Sequence, residues 1–430
     1  MSFNKQTIRD IDPKGKKVLL RADYNVPVKD GKITNDYRIK QSLPTVEYLL
    51  KRGAKLIICS HLGRPNGKPT PDASLWPVAK RLQQLLKDTK VHFVDDCVGE
   101  KASAEADKLE PGEVLLLENL RFHAEEEKND DEFSKQLAGL AELFVQDGFG
   151  VVHRAHASTE GVTRHLPSVA GLLLEREVDT ITKAMEAPEK PLMAVIGGAK
   201  ISDKIEILNR FIDIADFVAV GGAMANTFLL AEGHEVAKSL VTPDDVPLAK
   251  SIIERAREKT KQNHFVFYLP QDGVVATSVD SHAKTRIVDW SAHVISSIEH
   301  YPKRPPHADS HMRANEMILD IGPFSASFIA GAIQFANTVV WNGTMGVTET
   351  HSLLDAVGPF AHGTETIVES MLGRHGHKPF TVVGGGDTVG YVEEQGLVDA
   401  FGHVSTGGGA SMELMAGKTL PGIAALKDKQ

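Results

Sequence analysis

The chain has little cysteine: two residues in 430, Cys59 and Cys97. They cannot build a disulfide framework and neither belongs to a CxxC pair, which points to a reducing compartment and two inert buried thiols. Positive charge is not in excess either. A formal net charge of -9 argues against a general nucleic-acid or membrane surface, because such partners select basic faces that counter their phosphates. Any anion site must therefore be local. MSFNKQTIRD lacks the apolar stretch of a signal peptide, and no run approaches the length that spans a bilayer. The expected location is cytoplasmic. Familiar nucleotide motifs are missing too. In AGKT (416 to 419) a Walker pattern would need glycine where Met412 stands, and no GxGxxG follows a strand. That excludes a P-loop protein and a typical dinucleotide binder. No Ser-His-Asp arrangement or paired carboxylates, no repeat and no low-complexity tract is visible.

What is present is a long alternation of short apolar runs with helix-like segments. In the first part the runs are KVLLR (17 to 21), KLIICS (55 to 60), VHFV (91 to 94), EVLLLE (113 to 118) and ELFVQD (142 to 147), separated by amphipathic stretches such as RIKQSLPTVEYLLKRG. Continuous apolar strands joined by helices are what a parallel sheet covered on both faces requires. A second array begins near residue 190: PLMAVIGG, DFVAVGG, FVFYLP, TVVWNG, PFTVVGGG and GHVSTGGG. The expected fold class is α/β with two parallel sheets. Between the arrays, Ser168 to Met185 has helical spacing and predicts a connecting helix. Residues 290 to 316, rich in His and Pro, read as a long surface excursion whose histidines (His293, His300, His307, His311) are too irregularly spaced for a metal site.

Four runs of the second array end in glycine: VIGGAK (195 to 200), VGGAM (220 to 224), VVGGGDT (382 to 388) and STGGGAS (405 to 411). Ligands of open parallel sheets bind beyond the carboxyl ends of the strands, and a helix start behind a glycine offers free N–H groups to an anion. Phosphate is the natural guest. Lys200 and Lys204 follow Gly197 and Gly198 at a spacing that puts both on the first turns of a helix. Asp387, directly after GGG, reads either as a Mg²⁺ ligand beside a polyphosphate or as an N-cap. Strand ends of the first array carry basic side chains instead: RADYNVP (21 to 27), SHLGRP (60 to 65), ENLRFH (118 to 123) and VVHRAHAST (151 to 159), with Arg38 in a separate polar turn. Arginines converging on one cleft make a site for a small, highly charged anion.

RADYNVP, SHLGRP, ENLRFH, HRAHAST, GGAKISDKI, GGAMANTFL, WNGTMGV, GGGDT and HVSTGGGAS, in this order, resemble the phosphoglycerate kinase family over nearly the whole chain. The resemblance implies two Rossmann-like domains: residues 1–170 binding 3-phosphoglycerate or 1,3-bisphosphoglycerate, a hinge helix at 171–187, residues 188–412 binding MgADP or MgATP, and residues 413–430 returning to the first domain. It implies reversible phosphoryl transfer in a cleft closed by hinge bending, in a monomer. By position it assigns Asp23, Asn25, Arg38, His61, Arg64, Arg121 and Arg154 to the phosphoglycerate. Lys200 and Lys204 would contact the phosphates, Gly221 and Gly222 adenine, Asn342 the nucleotide phosphates and Glu349 the ribose. Gly386, Asp387 and Thr388 would serve the metal and phosphates, and Gly407, Gly408 and Gly409 would present N–H groups to the phosphoryl in flight, with Arg38 and Lys200 assisting transfer. The chain departs from the family pattern at Thr344 (for proline), Thr348 (for an aromatic) and Phe324 (often lysine), all near the nucleoside pocket. Two other readings are a kinase of another small phosphorylated carboxylic acid and a catalytically weakened binding or regulatory protein on the same fold.

Overall fold

The computed structural model describes residues 3–262, 264–290, 311–350 and 358–429. It divides into two compact units, residues 1–182 with 406–430, and residues 183–405. Unit 1 contains strand β1 (Lys17–Arg21), the small hairpin β2 (Val28–Lys29) and β3 (Lys32–Ile33), then β4 (Lys55–Cys59), β5 (Val91–Val94), β6 (Val114–Leu117), β7 (Leu143–Gln146) and β8 (Ser168–Ala170). Its main sheet has the order β5-β6-β4-β1-β7-β8, with every pairing parallel. Leu19, Ile57, Leu115 and Phe144 bury one face of it and Val18, Leu56, Val114 and Val145 the other. Burial on both faces is why these strands read as continuous apolar runs; each such side chain contributes about 1.5–3 kcal/mol.

Unit 2 contains β9 (Leu192–Ile196), β10 (Phe217–Val220), β11 (Val266–Tyr268), β12 (Asp272–Ala276), β13 (Arg286–Asp289), β14 (Met317–Ile321), β15 (Thr338–Asn342), β16 (Phe380–Gly384) and β17 (His403–Val404). The parallel sheet runs β11-β10-β9-β15-β16-β17, and β13-β12-β14 form a separate three-stranded sheet of antiparallel pairs. In both main sheets the strand order reverses beside the first strand, at β1/β7 and at β9/β15. Those switch points are where open α/β sheets bind ligands.

Two expectations need correction. The stretch from Ser168 begins as strand β8, paired with β7; the helix starts only at Leu172 and runs to Glu186. The cause is Asp147, whose Oδ1 accepts Leu173 N (3.0 Å) and Leu174 N (3.1 Å) and would lie 2.1 Å from any Cβ on Gly171. Only glycine lets the strand turn into the helix there. The division between units falls inside this helix, and the chain rejoins unit 1 at Thr406. Lastly, the helix after Gly197 and Gly198 starts at Ile205, with Lys204 at its N-cap. Lys200 therefore sits in an exposed loop, where Ser202 N and Oγ donate to Asp245 Oδ2 (3.1 and 3.2 Å). Of the His-rich excursion, residues 291–310 lie outside the described residues. Among the described residues no helix is long and apolar enough to cross a membrane.

Candidate functional site

In unit 1, the segments leaving β1, β4, β6 and β7 bring charged groups to the switch point. Arg21, at the end of β1 and 1% exposed, donates from Nε to Ser158 Oγ (2.7 Å) and places Nη2 3.2 Å from His61 Nδ1. Asp23 Oδ2 accepts from Arg38 Nη1 (3.1 Å), which also donates to Asn25 O (3.2 Å). Asn25 Oδ1 accepts Gly63 N (2.9 Å), and Arg121 Nη1 donates to Gly63 O (2.8 Å), so one glycine joins two of the expected ligand residues. Arg121 Nη2 is buried with no partner, a charged donor left over for an incoming anion. Asn119 sets this up by capping the turn Leu120–Phe122 through Arg121 N (3.0 Å) while its Nδ2 holds Leu62 O (2.7 Å) and Ala73 O (2.8 Å).

Electrostatics show how closely the guanidinium groups converge. Burial pushes the His61 imidazole well below its usual range, and the charges of Arg21, Arg121, Arg38 and Arg154 add to that depression. His156 falls to about 4 through burial and then Arg121, Arg21 and Arg154. Neutral imidazoles beside concentrated cationic charge make a cradle for a small polyanion. Glu126 is the buried counter-charge: its carboxylate accepts Ser158 N (3.0 Å) and Ser158 Oγ (2.6 Å). Arg154 Nε points at His153 Nε2 (3.2 Å). The structure thus brings Asp23, Asn25, Arg38, His61, Arg121 and Arg154 together. Arg64 stands exposed on the turn after Gly63, and no contact ties it to them.

The three-glycine loop belongs to this unit. Gly407 caps the helix Gly408–Met415, which has no acidic residue and no side-chain cap in its first turn, a helix start that suits an anion. A Cβ on Gly407 would lie 2.6 Å from the Phe149 ring, and one on Gly409 3.3 Å from His153 Nε2. The loop is fixed by Thr406, whose N and Oγ1 donate to Glu177 Oε1 (2.6 and 2.7 Å). The first turn of this helix therefore lies against His153, the neighbour of Arg154.

In unit 2 the loops after β9 and β15 press backbone on backbone. A Cβ on Gly197 would sit 2.0 Å from Thr344 O, and one on Gly221 2.3 Å from Met345 Sδ. Trp341 Nε1 donates to Gly343 O (2.9 Å) and Gly343 N to Thr388 Oγ1 (2.6 Å), so the WNG turn and the GGGDT turn are locked together. Beside them opens a cavity of about 340 Å³ whose walls include Gly198, Gly222, Leu229, Met345, Glu349 and Asp387. Lys204 Nζ donates to Asn342 O (3.0 Å) and to Asn342 Oδ1. Burial lowers its pKa to about 8, with Asp387 and Asp203 opposing the fall. Asn342 Nδ2 is a buried donor without a partner. The N-cap of the helix Gly386–Glu394 is Gly385; Asp387 lies in the first turn, exposed, and caps nothing, which decides against its N-cap reading.

The departures from the family pattern are local. Thr344 Oγ1 donates to Gly346 O (3.0 Å), Thr348 is 9% exposed, and Phe324 stands outside the cavity, stacked toward Phe328. The quoted motifs contain Arg21, Asn119, His153, His156 and Ser158 without marking a role for them, and Glu126 and Glu177 lie outside those motifs. The signal for Arg21 was its place at a strand end like the other arginines; a buried Glu in an acidic run such as AEEEK offers no such mark.

A family model described as phosphoglycerate kinase matches residues 8–418. The chain belongs to the phosphoglycerate kinase family. It is a phosphotransferase, with a carboxyl group as acceptor. A phosphoglycerate kinase of Moorella thermoacetica is 47% identical over 425 residues, covering 99% of this chain and 100% of that one; one of Koribacter versatilis is 45% identical, with 99% and 100% covered. Among solved structures, the phosphoglycerate kinase of Coxiella burnetii matches with a TM-score of 0.80 at 35% identity, over 98% of both chains. That of Pyrococcus horikoshii gives 0.80 at 30% identity, again over 98% of both.

Proposed function

We propose that the chain catalyses the reversible transfer of a phosphoryl group between 1,3-bisphosphoglycerate and ADP, giving 3-phosphoglycerate and ATP in glycolysis and gluconeogenesis. The observation that carries the reading is chemical: one unit gathers arginines around imidazoles held neutral, and the other has a cavity lined by Asp387, with a Lys204–Asn342 pair in the same unit. Phosphoryl transfer needs positioning and charge neutralisation, and a carboxylate acceptor is already ionised at neutral pH, so no general base is required. Family membership at this level of identity does not favour a weakened scaffold.

Arg38, Arg121, Arg154, Arg64 and His61 bind the phosphoglycerate, with Asp23 and Asn25 holding Arg38 in place. The Gly407–Gly409 amides receive the moving phosphoryl, helped by Lys200. Lys204 and Asn342 Nδ2 take the nucleotide phosphates, Gly221 and Gly222 face the adenine, and Glu349 takes the ribose. The residues present suit a Mg²⁺ ion: Asp387 is exposed and uncommitted, Gly386 and Thr388 flank it, and Mg²⁺ takes one or two carboxylates with water and substrate phosphates. That ion, when bound, would neutralise phosphate charge. Transfer follows hinge bending about the helix Leu172–Glu186, in a cytoplasmic monomer.

Calorimetric titration of the charge variants tests the division of labour. Arg121→Gln should weaken 3-phosphoglycerate binding while leaving MgADP affinity intact; Asp387→Asn should do the reverse. Loss of both ligands from either variant, with the fold retained, would contradict the assignment.

A further inference from the structure

Behind the arginine cluster, unit 1 holds a second group of ligand-type side chains that phosphoryl transfer does not use. Asp96 and Cys97 follow β5, and His123 follows the short turn after β6. These strands are parallel neighbours, Val94 standing opposite Leu117, so all three residues leave the same carboxyl edge of the sheet. One donor atom from each, a carboxylate oxygen, a thiol sulfur and an imidazole nitrogen, lies within 4.8 Å of the others.

Several contacts hold this arrangement ready. Asp96 Oδ1 accepts Cys97 N (2.7 Å), which folds the carboxylate back over its own neighbour, and it lies 2.8 Å from His123 Nε2. The His123 ring packs on Phe133 with centroids 5.3 Å apart, and Phe133 N is fixed by the N-cap Asp130 (2.9 Å). Cys97 is 1% exposed, whereas the side chains of His123 and Asp96 are 31% and 41% exposed. The thiol forms the floor and the other two form a rim open to solvent, through which an ion can enter and beside which a water can complete the coordination.

We infer that Asp96, Cys97 and His123 form a binding site for a borderline divalent cation of the zinc class. Sulfur, nitrogen and oxygen together suit Zn²⁺ or Co²⁺; Mg²⁺ and Ca²⁺ select all-oxygen shells. Tetrahedral bonds of about 2.0–2.3 Å place ligand atoms roughly 3.3–3.7 Å apart, so the Asp96–His123 pair, 2.8 Å apart, opens slightly on binding. On ligation the metal takes the place of the thiol proton, which leaves to solvent. The site ties the β5 loop to the segment that carries Arg121, two residues before His123.

The test uses the full-length protein, freed of metal by chelation, titrated with Co²⁺ as an optical probe and then with Zn²⁺. One equivalent of Co²⁺ should raise a thiolate-to-cobalt charge-transfer band with tetrahedral visible bands, and Zn²⁺ should abolish both by displacement. Cys97→Ala should lose the band, Cys59→Ala should keep it, and His123→Gln, at a partly exposed position that spares the core, should bind at least about tenfold more weakly. No charge-transfer band in the folded protein, a band that survives Cys97→Ala, or full affinity in His123→Gln would overturn the proposal; the last two would mark an adventitious ion.

Discussion

At the scale of single residues, the account rests on charge placed without spare partners. Arg38 is held by Asp23 Oδ2 and Asn25 O, so its guanidinium is aimed before substrate arrives. Arg38→Ala is expected to lower kcat by about 10²–10³-fold, the effect of losing one preorganised charge-stabilising donor, in a chain that still folds; wild-type turnover would contradict the assignment. A second residue-scale consequence is acid sensitivity. His156 titrates at about 4 in the fold against about 6.5 when unfolded. Between those values the unfolded chain binds the extra proton, so this group's contribution to stability is complete above about 6.5 and is lost as pH falls toward about 4. His156→Asn removes that loss. Urea unfolding should show the variant gaining on the wild type as pH drops through this window; a constant difference would show that the imidazole is not held neutral.

Among the elements, glycines decide which segments touch. A Cβ on Gly150 would lie 2.1 Å from Asp23 Oδ2 and 3.4 Å from Thr406 O, so this turn is where the β1 segment and the three-glycine loop meet. Gly150→Ala must push Asp23 aside. It should cost about 1–3 kcal/mol, the range for overpacking, and weaken 3-phosphoglycerate binding through Arg38, checked by denaturant unfolding and calorimetry. Unchanged affinity would place Asp23 outside the site. The strands were largely legible from sequence, because short continuous apolar runs such as KLIIC, alternating with amphipathic helical stretches, fit a doubly covered parallel sheet. What escaped were short elements whose form is decided from outside. Ser168–Ala170 is a strand because β7 pairs with it, and Leu172 opens a helix because Asp147 waits there. Burial raises the Asp147 carboxyl to about 7, a property no local pattern announces. The glycine-rich turns were read as places where backbone comes close to a ligand; in the fold they come close to one another's backbones, as at Gly197 and Gly343.

For the whole molecule, the chain's path matters as much as its motifs. Residues 406–430 complete unit 1 rather than the unit whose last strand precedes them. Gln6 N donates to Lys427 O (2.8 Å), Lys429 N to Asn4 O (2.9 Å) and Gly422 N to Val152 O (2.9 Å), and Leu420 and Leu426 are buried. Truncation after Lys418 strips both leucines and these bonds, and is expected to destabilise unit 1 by several kcal/mol at about 1.5–3 kcal/mol per buried leucine. Domain-resolved hydrogen exchange should locate the loss there; protection lost from residues 183–405 alone would refute it. The candidate site was legible as residue types in order, and the pairing of Arg121 with Gly63 or of Glu126 with Ser158 was not, since both depend on loops distant in sequence. The central claim is the reaction itself, and steady-state turnover of the purified protein with 3-phosphoglycerate and MgATP, followed through a coupled NADH readout with MgGTP in parallel, tests it most directly. The account predicts robust, saturable turnover with MgATP. A folded protein that binds 3-phosphoglycerate yet turns over neither nucleotide would contradict it.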